Sequence, residues 1–383
     1  MALGSLVDSA MRAHWREPGF TCPNPERYPW LWLWDSCFHS LIWERLGEPG
    51  RAVAELHSVF IGQDASSGFV PHMGYFGDPQ AGASFWGRPG FSSITQPPMF
   101  GHALAELARR GTDVPAEVVA AATAGMWFLL TDRCRHASGL VELVHPWESG
   151  ADDSPRWDSL AGEPYSLAEW HHRKGALLDT VERGPSGAPL SNPAFGVASA
   201  AFNAVVAFNA FELAEVAGDE LMVAEAAALV SALDARWDSD LATWIDAGAT
   251  EHGSGRARTL EGLLPLLVTG DDLAADAAFA SLVDPRAHGG RFGPTGVHRG
   301  EPTFDPATYW RGPVWPQLSY LLWVAARRHG RDDIAEVIAA STTDAAIISG
   351  LAEYWDPDTG AGGGAIPQSW TGLALLMTSH TIH

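Results

Sequence analysis

Apolar residues recur at helical spacing from one end of the chain to the other, whereas strand-like alternating runs are few and short. The pattern predicts helices over roughly 3–14, 35–46, 48–62, 96–110, 114–131, 197–216, 219–236, 257–269, 271–282, 315–329, 331–350 and 369–382. Several are joined in pairs by a short turn: Leu46-Gly47-Glu48-Pro49, Gly111 to Val114, Gly218-Asp219, Gly270-Asp271 and Gly330-Arg331. Glycine closes the helix before each turn, and an Asp, Thr or Glu favours the start of the next one. About twelve helices in about six hairpins, with no linker between them, predict an all-α toroid in one domain over residues 1–383, although length alone suggests two domains. A helical solenoid is the alternative, but it calls for a fixed-period sequence repeat, and none is found.

Between the hairpins lie irregular stretches at roughly 63–95, 134–196, 284–314 and 353–368, the second of them an inserted loop region. They are too rich in Trp, Phe and Tyr to be disordered. An aspartate, a short gap and then Gly or an aromatic residue recur in the chain, as in Gln63-Asp64 to Gly68-Phe69, Arg236-Trp237-Asp238 to Trp244 and Tyr354-Trp355-Asp356 to Gly360. These read as turns at the tops of successive hairpins, converging on one face where long loops build a central pocket.

The charge balance narrows the partners. Asp and Glu total 46 against 24 Lys and Arg, a formal charge of −22, which disfavours nucleic acid and anionic membranes. Cys22, Cys37 and Cys134 form no complete disulfide set and no zinc spacing. The first twenty residues contain Asp8, His14 and Glu17 without an apolar core segment, and no run of 18 apolar residues follows. A soluble cytoplasmic protein is expected, with homo-oligomerisation left open. The 17 tryptophans gather beside carboxylates in Gly- and Pro-rich segments. Flat rings interleaved with carboxylates and amides suit a small carbohydrate, which offers apolar C–H faces and a rim of hydroxyls.

Four segments carry this chemistry. In Tyr28-Pro29-Trp30-Leu31-Trp32-Leu33-Trp34-Asp35-Ser36-Cys37-Phe38-His39, Asp35 is either a helix N-cap or an acceptor for sugar hydroxyls. The three alternate tryptophans point one way if the segment is extended. His145-Pro146-Trp147-Glu148-Ser149-Gly150-Ala151-Asp152-Asp153-Ser154-Pro155-Arg156-Trp157-Asp158 crowds carboxylates between indoles. Desolvation by Trp147 and Trp157 would raise a carboxyl pKa as a general acid requires, whereas the ligand alternation of a calcium loop is missing. Asp305-Pro306-Ala307-Thr308-Tyr309-Trp310-Arg311-Gly312-Pro313-Val314-Trp315-Pro316 reads as a loop leading into a helix. In Glu353-Tyr354-Trp355-Asp356-Pro357-Asp358-Thr359-Gly360 and the following Gly362-Gly363-Gly364, neither a preceding strand nor a Lys-Ser/Thr supports a phosphate loop. There is no His-Glu-x-x-His helix and no Gly-x-Ser-x-Gly elbow, and the adjacent His171-His172 cannot share a helix face as metal ligands. Neither metal nor organic cofactor is expected.

At these segments the chain resembles the (α/α)6-barrel clan that contains glycoside hydrolase family 63 and the inverting trehalases, and within it the bacterial mannosylglycerate and glucosylglycerate hydrolases. The resemblance runs from about Tyr28 to Trp370. It rests on Trp34-Asp35-Ser36-Cys37-Phe38, Trp147-Glu148-Ser149-Gly150 through Asp152 to Ser154-Pro155-Arg156-Trp157, Tyr309 to Pro316, and Glu353-Tyr354. It implies an (α/α)6 toroid of six hairpins and an inverting α-glycosidase with Asp152 as general acid and Glu353 as general base. Tyr28, Trp32, Trp34, Asp35, Trp147, Gly150, Tyr309, Trp310, Trp315 and Gln368 fall at positions surrounding the sugar, and Gln96 and Arg311 join the candidate binding set. Asp153 is the alternative acid. The relatives read a glycerate carboxylate with an Arg and a nearby loop Tyr. Arg183 matches the Arg, but the following Ser186-Gly187-Ala188-Pro189 contains no Tyr, which implies a more open aglycone side. Arg173 and Lys174 are the other cations on that loop. A sugar epimerase or isomerase would require histidine bases facing the sugar, and a non-catalytic sugar-binding protein would use the carboxylates only as hydroxyl acceptors.

Overall fold

Whether a helix lies inside or outside this fold follows from how many of its faces are apolar. Ala200–Ala217 buries 14 of its 18 residues on every side, whereas Glu220–Asp234 buries a single stripe of Met222, Ala226, Leu229 and Leu233. The first has to be surrounded, and the second only leans on it. The computed structural model describes residues 2–162 and 165–378. Leu33–Arg45, Phe100–Arg109, Ala200–Ala217, the 3₁₀ segment Leu260–Leu267, Pro316–Arg328 and the 3₁₀ turn Ser369–Leu373 each pack on the next, and the last returns to the first. Outside them, Pro49–Phe60, Ala116–Trp127, Glu220–Asp234, Asp272–Val283, Asp332–Ile348 and Leu3–His14 each lie against an inner segment.

Strands play a minor part. The described residues contain six antiparallel two-stranded pairs, such as Leu31–Trp32 with Met73–Gly74 and Tyr354–Trp355 with Gly362–Gly363. The recurring aspartate turns are present. The carboxylates of Asp64, Asp238 and Asp356 each accept backbone N–H bonds from residues two and three positions on.

The helical pattern and the structure part company in five places. The stretch 134–196 contains a twelve-residue helix, Leu167–Leu178, capped by the Ser166 hydroxyl. It buries only Trp170 and Lys174, too little to leave an apolar stripe in the sequence. Short helical turns also form at Ala83–Trp86 and Asp158–Ala161. The segment expected over 257–269 winds as a 3₁₀ helix, Leu260–Leu267, with Pro265 inside it, where the missing N–H and the ring disfavour an α-helix. The final helix is a 3₁₀ turn, Ser369–Leu373, continued by Ala374–Met377, and the rest of the expected span, 379–382, lies outside the described residues. Among the described residues Ala200–Ala217 is the helix long and apolar enough to cross a membrane, and 78% of it is buried within the fold.

Candidate active site

The pocket lies where the inner segments begin. Its walls are Pro23, Tyr28, Trp32, Trp34, Asp35, Gln96, Gly150, Asp152, Tyr309, Trp310, Glu353, Gln368 and Trp370, around a tight cavity of about 70 Å³. Every one of these residues precedes an inner segment or sits in its first turn. The connections from inner to outer helices are short and contribute nothing to the wall.

The first wall comes from the start of Leu33–Arg45. The strand ends at Trp32, so Trp34 and Asp35 occupy the first helical turn, with Trp32 itself at the N-cap position. Asp35 is therefore not the N-cap. The alternate tryptophans do not share a face either: Trp32 and Trp34 reach the pocket, while Trp30 packs on Tyr75 with ring centroids 5.2 Å apart. Burial pushes the Asp35 carboxyl well above the ordinary aspartate range, and the negative charge of Glu353 adds to this. No donor side chain among the described residues bonds it, leaving both oxygens for a ligand.

The second wall is the acidic loop, where each carboxylate has a different fate. Glu148 is a structural pin. Arg133 bonds both of its oxygens, at 3.0 and 2.5 Å, and the backbone N–H groups of Thr95 and Val144 donate at 3.1 and 2.9 Å. Asp153 is buried and takes a 2.6 Å bond from the Lys174 ammonium. Arg156 is fully buried between Asp246, Thr259 and the Trp244 carbonyl. Trp157 shields the loop from beneath and donates its indole N–H to the Ala151 carbonyl at 2.7 Å. Gly150 has a φ of +73°, and a Cβ there would come within 2.6 Å of the Trp34 ring, so the loop can cross the indole only with glycine. Held at that crossing, Asp152 opens on the pocket without a hydrogen bond to its carboxyl among the described residues. Burial pushes that carboxyl up to about 7, against the opposing charge of Lys174 and with help from Asp153 and Glu353.

The third wall holds Glu353 in a different environment. Its Oε2 accepts the Ala365 N–H at 2.8 Å, and the Tyr28 hydroxyl donates to Oε1 at 3.1 Å. Burial raises its pKa, while these donors, Tyr309 and the charge of Arg27 act in the opposite direction. The glycine run beside it has a steric origin: a Cβ on Gly364, at φ +73°, would stand 2.2 Å from Glu353 Oε2. Trp310 closes the pocket with a left-handed backbone, φ +60°, an unfavourable conformation for a bulky residue that is typical of functional sites. Its ring lies flat on Trp315, with centroids 3.9 Å apart and planes 11° from parallel. Among the described residues no three of His, Cys, Asp and Glu converge to hold a metal ion.

Comparison with known proteins identifies the chain. The family described as "Mannosylglycerate hydrolase MGH1-like glycoside hydrolase domain" matches residues 28–371. The chain belongs to this family of glycoside hydrolases. The mannosylglycerate hydrolase of Thermus thermophilus is 28% identical over 94% of this chain and 96% of its own. The glucosylglycerate hydrolase of Mycolicibacterium hassiacum is 30% identical over 93% of each. A crystal structure of the GH63 mannosylglycerate hydrolase from Thermus thermophilus, in complex with Tris and D-glycerate, superimposes with a TM-score of 0.86 at 26% identity, covering 98% of this chain and 99% of that one.

The hydrolase thus gathers most of its sequence-predicted residues in one pocket. Tyr28, Trp32, Trp34, Asp35, Gln96, Gly150, Asp152, Tyr309, Trp310, Glu353 and Gln368 line it; Trp147, Arg183, Arg311 and Trp315 stand back. Trp315 is the support beneath Trp310. Trp147 stacks near His145 and Trp86. Arg311 clamps Asp158 through two bonds of 2.7 and 2.8 Å and lies 3.8 Å over the Tyr165 ring, so it ties two site loops together behind the wall. Arg183 is exposed and bonds the Ser93 carbonyl and hydroxyl at 2.7 and 3.0 Å. Of the other loop cations, Arg173 pairs with Glu169 and Lys174 is committed to Asp153, so neither is free to read a carboxylate. Pro23 and Trp370 line the pocket without having been singled out as binding residues. Trp370 had a signal, an indole just after Gln368, whereas Pro23 had none. Membership in the family sets aside the isomerase and the non-catalytic binding protein, and no histidine is among the lining residues.

Proposed function

We propose that the chain is an inverting α-glycosidase of the (α/α)6-toroid type, acting on a small α-glucoside or α-mannoside with Asp152 as general acid and Glu353 as general base. One observation carries this reading: of the three carboxyls in the pocket, Asp152 lies free of hydrogen-bond donors among the described residues while Glu353 is held by two. Asp152 has no hydrogen-bond donors and burial keeps its proton to about pH 7, the state required to protonate a leaving oxygen. Glu353 is gripped by a tyrosine hydroxyl and a backbone N–H, which favour the ionised form that deprotonates water. The sugar lies against Trp32, Trp34 and Trp310, with Asp35 and Gln368 accepting or donating to its hydroxyls. As the bond from C1 to the aglycone oxygen lengthens, Asp152 gives that oxygen its proton. Glu353 takes a proton from a water attacking C1 on the opposite face, and the anomeric configuration inverts. Such a pair is expected about 6.5–9.5 Å apart, leaving room for the water.

The names of the relatives and the D-glycerate bound in the Thermus thermophilus structure support a glycerate-like aglycone. Arg183 is the one loop cation without a carboxylate partner among the described residues. The acidic surface, the three free cysteines and the burial of the apolar helix support a soluble enzyme of the cytoplasm. A hydrolysis screen with glucosylglycerate, mannosylglycerate, glucosylglycerol, trehalose and short gluco-oligosaccharides tests the reading. Release of hexose from a glycerate glycoside in preference to trehalose is the expected result. Turnover of none of these compounds would overturn the substrate class.

A further inference from the structure

Asp152 and Asp153 are neighbours in one loop, and the negative charge of Asp153 helps to hold a proton on Asp152. What separates them is the helix Leu167–Leu178. Its residues Trp170 and Lys174, one helical turn apart, are the two it buries, and both grip the acidic loop. Trp170 donates its indole N–H to the Asp152 carbonyl at 3.2 Å. Lys174, 2% exposed, places its ammonium 2.6 Å from one oxygen of Asp153, with His171 3.7 Å from the other. The Trp147 and Trp170 rings flank that ammonium with centroids 5.8 Å away. The His145 ring bonds the Lys174 carbonyl at 2.8 Å, which fixes the helix to the 3₁₀ turn Pro146–Ser149 just before the loop.

We propose that Lys174 is a positioning residue of the reaction: its buried ion pair commits Asp153 to the ammonium and leaves Asp152 to carry the proton of this loop. The proposal rests on Asp152 being the general acid. Without the ammonium, Asp153 would lose its ion-pair partner, and a proton drawn to it would be useless to the leaving group. Asp152 also faces Glu353 on the opposite loop, with Tyr28 and Tyr309 beside them, and their influence is common to every variant below.

The test is the pH profile of kcat on whichever glycoside the wild type hydrolyses, read at its high-pH limb. Lys174→Met removes a cation and moves the limb upward by about one unit or more, with a lower plateau. Asp153→Asn leaves the ammonium facing Asp152 alone and moves it downward by about one unit or more. The double variant carries neither charge and returns the limb to within about half a unit of wild type. Limbs that stay in place, or move in the same direction in both single variants, would overturn the proposal. If Lys174→Met does not fold, Asp153→Asn and the neutral double variant still decide it, since the first should move the limb downward and the second should restore it. Asp152→Asn, run alongside, separates the two claims: retained turnover there sinks the acid assignment itself, whereas a loss of more than about a hundredfold with unmoved limbs elsewhere sinks only the role of Lys174.

Discussion

Replacing Asp152 by Asn should abolish turnover and at the same time stabilise the protein, and the two effects have one cause. In the folded chain the carboxyl titrates at about 7 instead of its ordinary 3.8. The native state therefore keeps a proton that the unfolded chain loses, and stability falls as pH rises from about 4 to about 7. At about 1.36 kcal/mol per pH unit the full cost above neutrality is about 4 kcal/mol. Because Asp152 is partly open to the pocket, water reduces this, and we take about 2 kcal/mol as the working figure. For 383 residues the unfolding entropy is about 0.8 kcal/mol/K, so the variant should melt about 2–3 °C higher at pH 8. At pH 4 both chains carry a neutral side chain there, and the difference should vanish. Calorimetry of both proteins at pH 4, 6 and 8 measures it, alongside kcat, which should drop about 10²–10⁴-fold. A melting difference that does not change with pH would refute the reasoning, because it would mean that Asp152 is not held protonated by its surroundings.

Glu353→Gln should lose activity on the same scale while substrate still binds, measured by calorimetric titration. In the wild type, kcat should follow a bell whose lower limb, where Glu353 must ionise, lies above the ordinary glutamate range and whose upper limb lies near 7. Proton NMR of fresh product from an α-glycoside should show the β-anomer first; initial α-anomer would mean retention, with the carboxyls only about 5–5.5 Å apart. Arg183→Ala should raise KM for glucosylglycerate about tenfold or more, the worth of one charge-assisted bond, and leave glucosylglycerol nearly unchanged, whereas equal losses on both would show that Arg183 reads no carboxylate. Gly364→Ala should cut kcat at least about tenfold, since its methyl group would occupy the place of Glu353 Oε2, and strain at positive φ should cost about 1 kcal/mol of stability, read as a lower melting temperature.

The sequence by itself determined the largely helical character, the positions of the main helices and, through segments that resemble a known family, most residues of the pocket. Each of these is written in local periods or in short, chemically distinctive segments. The stripe of Glu220–Asp234 and the mainly apolar Ala200–Ala217 even carry the distinction between outer and inner helices, because burial on one side or on all sides dictates it. Leu167–Leu178 escaped because its buried face is only an indole and a lysine, and a lysine reads as solvent until its partner is known. The long-range pairings were decided by tertiary structure alone. Nothing local distinguishes Glu148, bound by Arg133, from Asp152 four residues later, or shows that Arg311 would clamp Asp158 instead of facing the pocket. Tertiary structure alone also decided that Asp152, and not Asp153, lines the pocket. They are the same residue type side by side, and what separates them is an ammonium from position 174 beside Asp153 and a pocket shared with Glu353 beside Asp152. Protonation depends on the charges and water around a group, and those are set by distance in space, which the order of residues along the chain does not contain.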